Sequence, residues 1–201
     1  MFFATHPNAI GRYESELIDE IIENVARSFP KTLDVNENIV GMDSRLERLI
    51  SLLKIELNDV RMVGVYGLGG IGKTTIINAL YNKISYQFES VSLLTDVRKE
   101  STENSGLLKL QQQLLNDTLR TTRKIVLGNV HEGIKEIRDK LSSKKVLVFL
   151  DDVDEPTQLE HLIGNHNWFG PGSRIIINTS TTTKIIYGVT IYGVTFKIMT
   201  P

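Results

Sequence analysis

The sequence predicts an α/β fold: a parallel β-sheet between two layers of helix, with one amphipathic helix ahead of it. Three stretches carry that expectation. Val63-Gly64-Val65-Tyr66 is a β-type run that enters the glycine-rich turn GLGGIGKTT, Gly67 to Thr75, and a helix-forming segment leaves it. Lys145 to Leu150 is a continuous apolar run of the kind a strand buried on both faces needs, and it closes on Asp151 and Asp152. Arg174-Ile175-Ile176-Ile177 repeats that pattern after the turn Phe169-Gly170-Pro171-Gly172.

The first stretch carries the most chemistry. Gly67, Gly72, Lys73 and Thr74 fit G-x-x-x-x-G-K-[ST] without a mismatch. Glycines, here Gly67, Gly69, Gly70 and Gly72, permit positive φ, so that successive N–H groups turn inward around phosphate oxygens. Ile71 and Thr75 complete the loop. The helix beginning near Gly72 aims its free N–H groups and positive dipole end at the same anion. Lys73 reaches β- and γ-phosphates, and the Thr74 hydroxyl suits Mg²⁺. The bland alternative is a glycine turn that matches by chance; a strand before it and a helix after it argue otherwise. The expectation is a nucleotide site on a three-layer P-loop NTPase core.

Two acids at the end of a buried strand stand where open α/β sheets place ligands. Asp151 is the candidate for holding Mg²⁺ and Asp152 for orienting an attacking water. The competing account is a helix N-cap, because Asp154-Glu155-Pro156 begins a helical turn, and that account suits Asp154. The third apolar run leads into Asn178-Thr179-Ser180, where two readings stand: donors for a terminal phosphate, or a strand dissolving into a Ser/Thr loop. Trp168 and Phe169 are read as anchors of their turn in the core.

In chain order, Tyr13 to Phe29 is expected as a helix with Leu17, Ile18, Ile21, Ile22 and Val25 on one stripe and Pro30 as its stop. Residues 31–38 are polar and read as a linker. A helix follows from about Ser44 to Ile55, with Ser44 and Glu47 at capping-box spacing. After the phosphate loop, Ile76, Ile77, Leu80 and Ile84 point inward. Ser90 to Leu94 is a short strand, and Leu107–Leu115 and His131–Leu141 are helices.

Composition sets outer limits. The 201 residues suffice for one core, and 41% hydrophobic with 23% charged residues is the balance of a globular protein. A net charge of −1 gives no reason to expect nucleic acid or a membrane surface as a partner. With no cysteine, disulfides and Cys-based metal sites are excluded. No apolar run approaches a bilayer span, and the first residues lack the basic region of a signal peptide, so a cytoplasmic location is expected.

The stretches IVGMDSRLERL, VGVYGLGGIGKTT, SLLTDVRKES, GLLKLQQQLL, KKVLVFLDDVD and WFGPGSRIII together resemble the NB-ARC nucleotide-binding module of plant disease-resistance receptors. They are most similar to the subclass with a Toll-type (TIR) domain in front and leucine-rich repeats behind. The resemblance runs from about Tyr13 to Ile177. It implies a TIR-domain end and linker over residues 1–38. Over 39–201 it implies the nucleotide-binding domain, stopping before the helical and winged-helix subdomains. It further implies a switch in defence signalling, with ADP held at rest and ATP favouring the active state. Val40 and Gly41 would contact adenine, the loop Gly67 to Thr75 the phosphates, and Thr74 with Asp151 the Mg²⁺. Partners would be the nucleotide and other receptor domains or chains. The family's Thr-Thr-Arg motif, whose Arg senses the γ-phosphate, is met here by Asn178-Thr179-Ser180, so turnover is expected to be weak at most. The other readings are a working P-loop NTPase that hydrolyses ATP, or a non-functional truncated remnant. A direct repeat, IYGVT-IYGVT, occupies Ile186 to Thr195.

Overall fold

An apolar run buried on both sides must divide its side chains between two cores, and the strands do so. The structure, a computed structural model, describes residues 18, 32–35, 42–121, 123–180 and the backbone of 191–196. Strands β1 (Arg61–Gly67), β2 (Ser90–Leu94), β3 (Val146–Val153), β4 (Arg174–Thr179) and β5 (Ile191–Phe196) form one sheet in the order β2-β3-β4-β1-β5. Every pairing is parallel. Along β3, Val146, Val148 and Leu150 enter one core and Leu147 and Phe149 the other. Ile176 likewise faces away from Ile175 and Ile177.

Helices cover both faces. On one lie α1 (Met42–Leu53) and α2 (Lys73–Ile84), which bury Leu46, Leu49, Leu53, Ile76, Ile77, Leu80 and Ile84 against Val63, Val65 and Phe149. On the other lie α3 (Val97–Thr102), α4 (Gly106–Leu119), α5 (Val130–Leu141) and α6 (Pro156–Leu162). Leu110, Leu114, Ile137 and Leu141 are buried as their spacing predicts, whereas Leu107 and Ile134 are half-buried. Phe169 is buried in this core with Trp168 packed against it, which is the anchoring role expected of the pair. Among the described residues, no helix is long and apolar enough to cross a membrane.

Residues 1–31 and 32–201 form two compact units. In the first, Ile18 alone is described; it is helical and exposed. The remainder of the helix expected over Tyr13–Phe29 lies outside the described residues. In the second, Leu33 exchanges two hydrogen bonds with the Asn82 side chain, both 2.8 Å, so this part of the polar stretch is fastened to α2.

Three local expectations need correction. Helix α1 begins at Met42, so Ser44 sits inside its first turn rather than capping it; Asp43 supplies negative charge at the dipole end. The cap of α6 is Glu155, not Asp154: Glu155 and Gln158 form a capping box, and Pro156 takes the first helical position. Asp154 instead accepts a 2.9 Å hydrogen bond from Gln158 Nε2. Third, β3 does not end at the two acids but runs past them to Val153. A register shift against β4 between Leu150 and Val153, with Asp152 at φ 59, marks a bulge. The bulge returns Val153 to the face that Leu150 occupies.

One polar group inside the fold predicts a pH effect. Asp117 on α4 accepts a 2.8 Å hydrogen bond from Ser92 Oγ on β2. Burial raises its pKa above the usual Asp value, more than hydrogen bonds from Ser92 and Gln113 lower it. A raised folded pKa gives stability that is complete below the ordinary Asp range and is lost as pH rises through the folded value. Asp117→Asn is therefore expected to be more stable than the parent at neutral pH. That advantage should vanish in acid below the usual Asp range. Denaturant unfolding of both proteins at the two pH values checks this; a constant difference would assign the effect to packing.

Candidate nucleotide site

In the order β2-β3-β4-β1-β5, the strand that follows β1 in sequence lies toward one edge of the sheet and the strand that follows β4 lies at the other edge. The crevice between the C-terminal ends of β1 and β4 is therefore a topological switch point, where such sheets bind ligands. The glycine loop follows β1 at that place. Gly70 and Gly72 adopt φ +76 and +89, conformations that L side chains rarely take. At Gly69 and Gly70 an added Cβ would meet nothing within 4 Å, so the loop faces open space rather than packed protein. Gly72 starts α2, and Ile71 packs part-buried on the core beneath. Thr75 lies half-buried in the first turn.

The polar side chains converge from three elements. Lys73, itself buried, donates from Nζ to the carbonyl oxygens of Gly67 at 2.9 Å and Leu68 at 3.0 Å. The ammonium is thus held across the base of the loop. Thr74 Oγ1 lies 3.2 Å from each carboxylate oxygen of Asp151, which comes from the end of β3. Asn178 on β4 completes the group: its Nδ2 donates a short hydrogen bond to Asp151 Oδ1 and a 3.4 Å one to Thr74 Oγ1. That orientation of the amide follows from the carboxylate, which offers only acceptors. Asn178 Oδ1 is then a buried acceptor without a hydrogen-bond partner.

These residues fit Mg²⁺ and a nucleotide phosphate. Thr74 and Asp151 are hard oxygen donors already side by side, and Mg²⁺ takes one or two protein oxygens, keeping water and phosphate oxygens for the rest. The orphan Asn178 Oδ1 suits a donor such as a metal-bound water. Among the described residues no cluster of three or more His, Asp or Glu exists that would favour an all-protein metal cage.

The other sequence-predicted residues divide. Asp152 does not join Thr74 and Asp151; its Oδ2 lies 2.9 Å from Arg98 Nη2 on α3. Val40 and Gly41 lie outside the described residues. Ser180 is exposed just beyond β4, while Asn178, two residues earlier, enters the site. Asn178 was weighed from sequence only as one candidate phosphate donor at a strand end, and Arg98 was not singled out. The signal for Asn178 was a polar residue ending an isoleucine run; for Arg98, one of several charged residues beside Asp96, Lys99 and Glu100, there was none.

Fold and site together define a P-loop nucleotide-binding α/β protein. Residues 42–186 match the NB-ARC domain model, and the chain belongs to that family. It is 46% identical over 168 residues to Disease resistance protein RUN1 of Vitis rotundifolia, covering 83% of this chain and 12% of that protein. To TMV resistance protein N of Nicotiana glutinosa it is 38% identical over 190 residues, covering 90% and 16%. The chain thus spans a small part of the curated relatives it matches. Two solved structures share the fold at 13% identity. They are a chain of Drosophila ORC bound to DNA, TM-score 0.54 over 78% of this chain and 43% of that one, and CDC6P from Pyrobaculum aerophilum, 0.52 over 82% and 45%.

Proposed function

We propose that this chain is the ADP/ATP-binding switch module of an intracellular plant immune receptor. It would hold a nucleotide with Mg²⁺, turn ATP over weakly at most, and signal in the cytoplasm through other receptor domains or chains. The observation that carries this reading is the meeting of Lys73, Thr74, Asp151 and Asn178 beneath an open glycine loop. Lys73 and the loop N–H groups would hold the phosphates, and Thr74 with Asp151 the metal. When bound, Mg²⁺ would neutralise charge between β- and γ-phosphates. Weak turnover is supported by two features. Ser180 stands where the family motif has its Arg, and a hydroxyl cannot replace a charged planar fork. Asp152 is engaged with Arg98.

The test is calorimetric, on the nucleotide-free protein, with ADP and ATP, each with Mg²⁺ and with EDTA. The parent should bind both nucleotides, ADP at least as tightly as ATP. Asp151→Asn should lose roughly tenfold or more in Mg·ATP affinity, the scale of one charge-assisted contact, and little in metal-free ADP affinity. An equal loss under all conditions would make Asp151 a structural residue. A parent that prefers ATP and hydrolyses it over many turnovers would be a working ATPase instead.

A further inference from the structure

The site leaves one ion pair without a task. In a regular strand Asp152 would share the face of Leu150, which α3 covers; with the bulge and a φ of 59 its carboxylate still reaches α3. There Arg98 Nη2 meets it at 2.9 Å, with the Arg98 side chain 53% exposed and that of Asp152 31% exposed. Both ends are set by the backbone. Asp152 sits in a left-handed conformation, uncommon for a non-glycine residue though Asp takes it more readily than most, and the bulge fixes it there. Arg98 follows Val97, which is fully buried in the core. The pair is therefore delivered from two fixed points, beside the acid assigned to Mg²⁺, rather than formed between two wandering surface chains.

We propose that Arg98 is a positioning residue that holds Asp152 away from a bound nucleotide's terminal phosphate, and so keeps bound ATP intact. This rests on the nucleotide-binding function proposed above. In hydrolysis a water oxygen forms a bond to the γ-phosphorus, and the bond from that phosphorus to the β,γ-bridging oxygen breaks. The electron pair of the broken bond leaves with ADP, and a proton of the water passes to a nearby carboxylate and on to solvent. A carboxylate whose Oδ2 is held by Arg98 is tied at α3 and must leave that contact to swing onto a water at the γ-phosphorus. Because the pair is partly in water, salt weakens it. It is a latch that can open.

Single-turnover hydrolysis of Mg·ATP, with the full chain in excess over nucleotide, tests the proposal. Arg98→Ala is expected to raise the rate at least about tenfold, a modest share of what a general base supplies. Arg98→Lys, which keeps a cation on the same stem, should stay close to the parent. The double variant Arg98→Ala/Asp152→Asn should return to the parent rate or below, and added salt should speed the parent but not Arg98→Ala. A rate in Arg98→Ala equal to the parent's, with ATP affinity by calorimetry unchanged, overturns the latch. So does a faster rate that persists in the double variant. Absence of ATP binding in the parent itself overturns the nucleotide assignment instead, and the latch falls with it; the calorimetry tells the two failures apart.

Discussion

Lys73→Ala is expected to weaken ADP and ATP binding by tenfold to a hundredfold or more, on the scale of about 1.5–3 kcal/mol for each charge-assisted hydrogen bond. The Nζ of Lys73 is carried by the first residue of α2 and fixed by the carbonyls of Gly67 and Leu68. It is thus a positive charge placed in advance beneath the loop, and a nucleotide need not immobilise it on arrival. Alanine leaves the two carbonyls to water at an exposed loop and removes nothing from either core, so the variant should stay folded. Calorimetry with both nucleotides reads the affinity, and circular dichroism reads the fold. Unchanged affinity would remove the phosphate-loop assignment.

Arg174→Ala is expected to destabilise the chain by about 3–5 kcal/mol, the usual consequence of removing one member of a buried charged network. The guanidinium is fully buried and donates to five main-chain carbonyls, those of Leu53, Lys54, Leu57, Asp59 and Ser173, and to the Asp59 carboxylate at 3.3 Å. Three of those carbonyls close α1 and the turn after it, where helix ends leave acceptors unpaired and the dipole favours a cation. Burial lowers the Arg174 pKa, and Asp59 opposes that. Arg174→Lys should recover only part of the loss, because one ammonium cannot serve so many acceptors in a plane. Denaturant unfolding of the three proteins decides it; a loss under about 1 kcal/mol for alanine would mean that water replaces the network.

Arg174 also shows what a linear reading conceals. As a letter it is the polar start of an isoleucine strand; in space it joins the end of α1 to the start of β4 across more than a hundred residues. The glycine loop, the buried strands and the inward faces of α1 and α2 were legible because periodicity and local chemistry dictate them. The bulge at Asp152 was not, since the pattern breaks only when β3 is laid beside β4. Asn178 could be seen as a donor at a strand end, but its role depends on the side chains of Asp151 and Thr74 meeting it there. Helix α3 was missed because six residues carry too little period to show. The cap of α6 was misplaced by one residue, for the local rule favours Asp over Glu and only the box with Gln158 chooses Glu155.

Strand β5 is built from the second of two identical stretches, Ile191–Thr195 after Ile186–Thr190. Over the five repeated positions, pairing with β1 cannot distinguish them, since either copy offers the edge the same residues in the same order. The tether can. Residues 180–190 join β4 to β5, and were the first copy seated instead, only 180–185 would remain. At about 3.3–3.6 Å per residue that shorter link reaches roughly 20 Å when fully stretched. Such a reach is hardly more than one strand length, whereas the eleven residues of 180–190 reach roughly 36–40 Å. The duplication therefore does not leave the edge of the sheet ambiguous: where sequence offers two equal candidates, chain length acts as the ruler that picks one.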